Sequence, residues 1–159
     1  MYNRYDKVAF MSVAGTEGDT FVRMTGFTEL STSKNAKEYN RQYVDEKSER
    51  SDVVGYSPSM SYKFDREEDN AVQDILIDIT DNEKIGSAAH VVIVVVDMNG
   101  EADGDFDAMS REFSVIPNSE GDSNDAYTYS GTFKACGDRK KGTATTTDGW
   151  KTCKFTVAE

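Results

Sequence analysis

The sequence has few of the residues that carry catalytic or metal chemistry. Its 159 residues include one histidine, His90, and two cysteines, Cys136 and Cys153. A Ser-His-Asp triad would have to be built on His90, and the Gly-x-Ser-x-Gly segment of many hydrolases is missing. There is also no phosphate-binding loop, Rossmann glycine pattern or Cys/His zinc spacing. We therefore expect no enzymatic activity, no catalytic residue, no cofactor and no metal.

The histidine and one cysteine both have simple structural interpretations. His90 opens a run of valines, where an imidazole that only packs in the core is expected. Cys136 lies between Ala135 and Gly137 with no histidine nearby in the sequence, which is typical of an inert packing thiol.

Basic residues are also scarce. The chain has 18 Lys and Arg against 29 Asp and Glu, so its formal net charge is -11. Affinity for nucleic-acid phosphates comes mostly from Lys and Arg, so this balance excludes a general nucleic-acid binder. Taken alone, such acidity indicates solubility.

Long hydrophobic runs are missing. The longest, residues 88–96, is too short and too rich in β-branched residues for a membrane helix. Residues 1–6 lack the charged and then apolar pattern of a secretory signal, which favours a cytosolic product with reduced Cys136 and Cys153. A disulfide between the strands that carry these cysteines is the alternative.

Alternating hydrophobicity is what the sequence does contain. Residues 59–64, 127–135 and 152–157 each alternate apolar with polar side chains, as half-buried strands do. Residues 91–96 are apolar at every position and predict a strand buried on both faces. Residues 142–147 are β-branched and polar, which is typical of an edge strand.

One helix is predicted among these strands, over residues 66–84. Asp65 can cap its start with Glu68 as the partner of a capping box, and Gly86 can end it. One helix among about eight strands indicates a single mainly β domain over residues 1–159, a sandwich or partial barrel with a flanking helix.

A polar insert separates two of the predicted strands. Residues 31–54 are rich in charge and lack the Gly, Pro and Ser bias of a flexible linker. Its Tyr39, Arg41 and Tyr43 alternate with polar neighbours. Long ordered connections inside compact domains are usually functional, so we expect a surface that contacts another protein molecule.

Two other features leave binding functions open. Residues 97–107 approach a calcium loop, but Ser110 occupies the place of its bidentate glutamate, so we interpret the segment as an acidic connection. Trp150 is the one tryptophan that could serve as a carbohydrate platform. Paired carboxylates for glycoside hydrolysis cannot be assigned from spacing alone.

Six segments follow one another along the chain: Asn35-Ala36-Lys37-Glu38-Tyr39, Tyr43-Val44-Asp45-Glu46, Val54-Gly55-Tyr56-Ser57-Pro58-Ser59, Tyr129-Ser130-Gly131-Thr132-Phe133-Lys134-Ala135, Gly142-Thr143 and Asp148-Gly149-Trp150. This ordered set, which covers essentially the whole chain, resembles the major tail (tail tube) proteins of long-tailed bacteriophages and prophages of Gram-positive bacteria.

This resemblance implies a structural virion protein. Members of the family fold as a β-sandwich with a flanking helix and form six-fold rings that stack into a tube. The implied partners are copies of this chain, the tape measure, tail terminator and distal tail proteins, and viral DNA that passes through without specific binding, with no membrane. The implied location is the virion tail, assembled in the host cytoplasm, and we favour a non-contractile tail.

The resemblance also assigns roles to residues. It makes the insert the contact between subunits and rings, through Lys37, Glu38, Tyr39, Arg41, Tyr43, Asp45, Glu46, Lys47, Glu49 and Arg50. It implies an acidic lumen that repels DNA phosphates, with Glu29, Asp45 and Glu46 as candidate lumen-facing acids. A carbohydrate- or receptor-binding β-sandwich is the alternative function, and an acidic hydrolase ranks behind it.

Overall fold

The computed structural model describes residues 1–13, 20–121 and 124–158. In that part of the chain the strands are β1 (Lys7–Met11), β2 (Thr20–Arg23), β3 (Phe27–Ser33), β4 (Ala36–Arg41), β5 (Arg50–Tyr56), β6 (Ser59–Asp65), β7 (His90–Ala102), β8 (Asp105–Glu120), β9 (Thr128–Ala135), β10 (Lys140–Thr145) and β11 (Thr152–Val157). The α-helix is α1 (Ala71–Asp81), which at 11 residues falls well short of a bilayer's thickness; no helix in the described ranges could span a membrane.

Six of the strands close into a barrel, in the order β10-β11-β2-β1-β7-β8, because β10 bonds to β11 on one side and to β8 on the other. The expected mainly β fold with one α-helix is confirmed; of the two expected forms, the sandwich is wrong, and the barrel is closed instead of partial. The predicted edge strand at 142–147 is also wrong, since β10 closes the barrel. Alternation could not decide this, because a strand has one apolar face in both architectures.

The barrel is filled by its own hydrophobic cluster. Large side chains from β1, β2, β7, β8 and β11 meet inside it, together with Trp150 from the turn before β11. The ring centroids of Phe10 and Trp150 lie 6.0 Å apart. Strand β7 contributes to two cores. Val94 and Val96 point into the barrel, whereas Val91 and Ile93 join the cluster under the helix. This confirms the prediction that the valine run is covered on both faces.

Strand β8 carries the sheet out of the barrel. It is 16 residues long; its first part pairs with β10, and its second part pairs with β9. Strands β6 and β3 continue the sheet beyond β9. One side of this extension is buried with α1 in a second core, to which the strands contribute Met60, Tyr62, Phe64, Phe113, Val115, Tyr129 and Phe133 and the helix Val72, Leu76, Ile77 and Ile79.

Helix α1 is shorter than predicted at both ends. Its N-cap is Asn70, whose side chain accepts a hydrogen bond from the backbone N–H of Gln73 at 3.2 Å. The predicted cap at Asp65 is wrong because Asp65 is the last residue of β6, paired with Thr128.

The helix ends in a Schellman motif. Glu83 takes the left-handed conformation with φ 50°, and the Lys84 N–H donates to the carbonyl of Ile79. The predicted C-cap at Gly86 is therefore wrong, because Glu83 turns the chain three residues earlier. Residues 66–84 thus include a helix over 71–81 only.

Candidate assembly surface

The insert forms a two-stranded β-hairpin, which we call the arm (residues 36–56). Its strands β4 and β5 pair with each other and with no other strand of the described chain. Lys37 pairs with Gly55 near the base, and Arg41 pairs with Arg50 near the tip. The sequence predicted a long loop here. The structure instead has a strand pair, which leaves the sheet after β3 and returns to it at β6.

Aromatic and charged side chains line one face of the arm. The Arg41 guanidinium lies 5.3 Å from the Tyr39 ring and 5.6 Å from the Tyr43 ring, and it pairs with Asp52 at 2.5 Å. Its hydrogen bonds to Tyr43 and Asp52 raise the pKa of Arg41. Arg50 lies 5.5 Å from the Tyr43 ring. These contacts hold the two strands together but bury no apolar core.

No residue of the arm is buried. Its large apolar side chains are all about half exposed or more: Tyr39, Tyr43, Val44, Val53, Val54 and Tyr56. An isolated two-stranded hairpin is marginally stable in water. Exposed apolar surface often marks a protein contact site, so these side chains make the arm a candidate contact surface.

The sheet extension has a second exposed surface, which we call the hydroxyl face. It is the side of β8, β9, β6 and β3 opposite α1, and directly opposed residues of these strands share it: Ser31, Ser33, Ser59, Ser61, Ser114, Ser130 and Thr132. Its charged side chains are Glu29, which pairs with Lys63, together with Lys134, Asp65 and Glu112. Three acids and two bases leave the hydroxyl face nearly balanced in charge.

Two strand edges flank the hydroxyl face. Strand β3 pairs with β6 and with no other strand of the described chain, and the Arg4 guanidinium donates to its Leu30 carbonyl at 2.8 Å. The pairing of β7 with β8 stops at His90 and Ser114, so β8 beyond Ser114 bonds to β9 alone in the described structure. Pro117 lies in this part of β8, where an edge strand tolerates a residue without an N–H. The edge also exposes Ile116.

Solved structures share this architecture. The SPP1 tail tube, determined by solid-state NMR and cryo-EM, matches with a TM-score of 0.70 and 13% identity over 91% of this chain and 80% of that chain. The tail of an empty GTA particle matches with a TM-score of 0.63 and 13% identity over 87% of this chain and 97% of that chain. The chain has a tail tube fold. No protein-family model and no curated protein matches the sequence.

The tail tube fold confirms the resemblance that the sequence motifs indicated. The structure of this chain places the predicted contact residues in the arm. Lys37, Glu38, Tyr39 and Arg41 lie on β4, Arg50 lies on β5, and the tip holds Tyr43, Asp45, Glu46, Lys47 and Glu49. Of the candidate lumen acids, Glu29 lies on the hydroxyl face, whereas Asp45 and Glu46 lie at the arm tip. Sequence reasoning missed Ile116, because an edge is visible only when pairings are known.

Two open binding features are resolved by the fold. Trp150 is half buried and packs edge-on against Phe106 at 4.9 Å, so it is not an exposed carbohydrate platform. The acidic segment 97–107 forms the end of the β7–β8 hairpin, where Asp103 and Gly104 make the turn with φ of 53° and 85°. It is a tight strand connection and not an EF-hand loop.

The fold also brings together side chains that the sequence kept apart. His90 Nδ1 lies 2.9 Å from Glu112 Oε1 and 3.9 Å from Cys136 Sγ. The interpretation of Cys136 as a packing thiol is wrong, because its side chain is exposed. Desolvation by the atoms that do contact it, followed by the charge of the Glu112 carboxylate, raises the pKa of the Cys136 thiol even though most of the side chain is exposed. Cys136 and Cys153 are both free thiols, so the alternative of a disulfide between them is not realised.

Proposed function

We propose that this chain is a non-enzymatic structural protein of a virion tail, a tail tube subunit whose copies form stacked hexameric rings around a conduit for DNA. The support is the tail tube fold together with two surfaces that a solitary molecule leaves incomplete, the arm and the open sheet edges. Six copies per ring follow the GTA tail, which was computed with C6 symmetry.

The single observation that carries this proposal is the pair of open edges on one four-stranded sheet. Strands β8, β9, β6 and β3 are antiparallel neighbours, so β3 of one copy runs antiparallel to β8 of the next copy around a ring. Pairing between two different edges is a heterologous contact, which closes into a ring when the rotation permits. Such closure removes the exposed edges that otherwise favour aggregation.

The hydroxyl face would then become the wall of the conduit. Serine and threonine side chains carry no positive charge. They therefore release no counterions from DNA, and this source of adhesion is small at the wall. Glu29, Asp65 and Glu112, set against Lys63 and Lys134, keep the wall near neutral. We therefore propose a wall less acidic than the resemblance implies. Exposed acids cluster instead around α1, at Glu67, Glu68, Asp69, Asp74, Asp81 and Glu83.

The arm would contact the neighbouring copy or ring. Its apolar groups lack a core within their own chain, and its charges carry both signs, so a protein partner can bury the former and pair the latter. The predicted contact residues, including Asp45 and Glu46 at the tip, belong to this surface. The tape measure, terminator and distal tail proteins are the further partners that a tube requires.

Assembly of the purified chain tests the proposal. Concentrated protein should form hollow tubes or rings by negative-stain electron microscopy. Replacing residues 37–55 with an Asn-Gly dipeptide should leave a folded monomer without tubes, because Ala36 and Tyr56 face each other and can be joined by a tight turn. A shortened chain that still forms normal tubes would refute the role of the arm.

A matched pair of substitutions tests the edges. Ile116→Lys places a charge on the open edge of β8 and should abolish rings, as a charged edge opposes strand pairing. Thr132→Lys is the control, because Thr132 is paired with Ile116 on the same face but lies inside the sheet. Equal assembly of both variants in sedimentation velocity would show that this edge is not an interface.

A further inference from the structure

Three potential metal ligands converge beside the hydroxyl face. His90 begins β7, Glu112 lies in β8, and Cys136 follows β9, so three adjacent strands supply one side chain each. Their ligand atoms all lie within 4.8 Å of one another. In the described part of the chain this is the one group of at least three His, Cys, Asp or Glu side chains that meets that distance.

The backbone fixes this convergence. His90 pairs with Ser114, which places it diagonally across from Glu112 on the same side of the sheet. The Cys136 N–H donates to the Glu112 carbonyl at 3.0 Å, which sets Cys136 beside Glu112 on the other flank. The three side chains are therefore positioned by strand pairing and not by a mobile loop tip.

The distances are close to those that a tetrahedral ion imposes. With Zn–N and Zn–O bonds of about 2.1 Å and a Zn–S bond of about 2.3 Å, tetrahedral ligand atoms lie about 3.4–3.6 Å apart. The observed separations are 2.9 Å for Nδ1 and Oε1 and 3.9 Å for Sγ and Nδ1. Shifts of about half an ångström would bring each of these two separations to its tetrahedral value, and the Glu112 carboxylate and Cys136 Sγ lie within 4.8 Å of each other.

We propose that His90, Glu112 and Cys136 form a binding site for a zinc-type divalent cation, with solvent in the fourth position. The imidazole is a borderline ligand and the thiolate a soft one, which favours zinc over magnesium or calcium, and zinc also accepts a carboxylate oxygen. Binding transfers the thiol proton of Cys136 to solvent, and the two anionic ligands then neutralise the ion. The sequence alone predicted no such site, because the ligands are 22 to 46 positions apart.

Cobalt(II) and zinc(II) titrations of the full chain at unassembled concentrations test this site. Cobalt should produce a thiolate-to-metal charge-transfer band in the near ultraviolet, and zinc should displace it. Cys136→Ser should abolish the band, and Glu112→Gln should weaken zinc affinity at least tenfold. Cys153→Ala is the control and should leave the band unchanged, because Cys153 is buried inside the barrel.

Alkylation gives a second measurement that needs no variant. Zinc should protect Cys136 from iodoacetamide in the folded chain, as read by mass spectrometry of the modified peptide. The proposal is overturned if cobalt gives no thiolate band with the unaltered chain, if Cys136→Ser retains it, or if zinc leaves the alkylation rate of Cys136 unchanged. None of these outcomes depends on whether the chain assembles into tubes.

Discussion

Strands β11 and β4 are both six residues long and both lie in antiparallel pairs, yet their surroundings differ completely. In β11, Cys153 and Phe155 are 2% and 7% exposed inside the barrel, whereas β4 buries no side chain at all. The barrel strand is stabilised by the apolar area that its own chain buries. The arm strand has only exposed ion pairs and cation–π contacts, each of which contributes little. Two strands of the same length and pairing type therefore differ in what stabilises them. For β11 it is burial within its own chain, and for β4 we assign it to contact with a second molecule.

The largest expected effect separates a barrel aromatic from an arm aromatic. Phe10→Ala should lower the free energy of unfolding by about 3–5 kcal/mol, because Phe10 is fully buried and its loss leaves a cavity. Tyr39→Ala should cost less than about 1 kcal/mol in the monomer, since it removes one exposed cation–π contact. Urea unfolding followed by Trp150 fluorescence measures both. Similar losses would mean that the arm is stabilised within its own chain.

A pair of glycine substitutions sharpens the same contrast. At Gly142 in β10 a Cβ atom would collide with the backbone carbonyl of Thr156 in β11. Gly142→Ala should therefore lower the free energy of unfolding by about 1–3 kcal/mol. At Gly55 in the arm a Cβ would meet nothing within 4 Å, so Gly55→Ala should be neutral or slightly stabilising. Thermal unfolding by circular dichroism distinguishes them. A neutral Gly142→Ala would contradict the close approach of β10 and β11.

The smallest expected effect concerns alkaline pH. Burial raises the pKa of Tyr62 to about 12, above its ordinary value of 10.0. The folded state thus favours the neutral phenol, and this stabilisation is complete below pH 10 and is lost as the pH rises towards 12. Tyr62→Phe should flatten that loss in urea titrations at successive pH values.

A second buried acid contributes to the same alkaline decline. Burial raises the pKa of Cys153 from 9.0 to about 12, so a decline that begins near pH 9 should persist in Tyr62→Phe. A Tyr62→Phe profile that overlays the unaltered chain would show that the Tyr62 phenol does not contribute.

Much of the local structure could be predicted from the sequence. Alternation placed Met60, Tyr62 and Phe64 on one buried face of β6, and the same period placed Tyr39 and Arg41 on one face of the arm. The helix was predicted in the right place but with the wrong caps. Asp65 and Asn70 are both good N-cap residues, and the choice between them depends on where β6 stops pairing with β9.

The assembly surface that we propose could be predicted only in part. The residues of the insert that we predict as contacts were visible because polar, charged strands have no place in a core. The open edge at Ile116 and the group of His90, Glu112 and Cys136 were not visible, since both depend on which strands are neighbours. The distinction between barrel and sandwich was hidden for the same reason.

The sequence by itself determined where most of the core strands lie, which side of them is apolar, and that one polar segment has no core to join. The tertiary structure alone decided that β10 closes a barrel, that β3 and β8 are left with open edges, and that three distant ligands meet. The physical reason is that side-chain periodicity specifies the face of a strand, whereas the neighbour along its edge is chosen by backbone hydrogen bonds that every sequence can form.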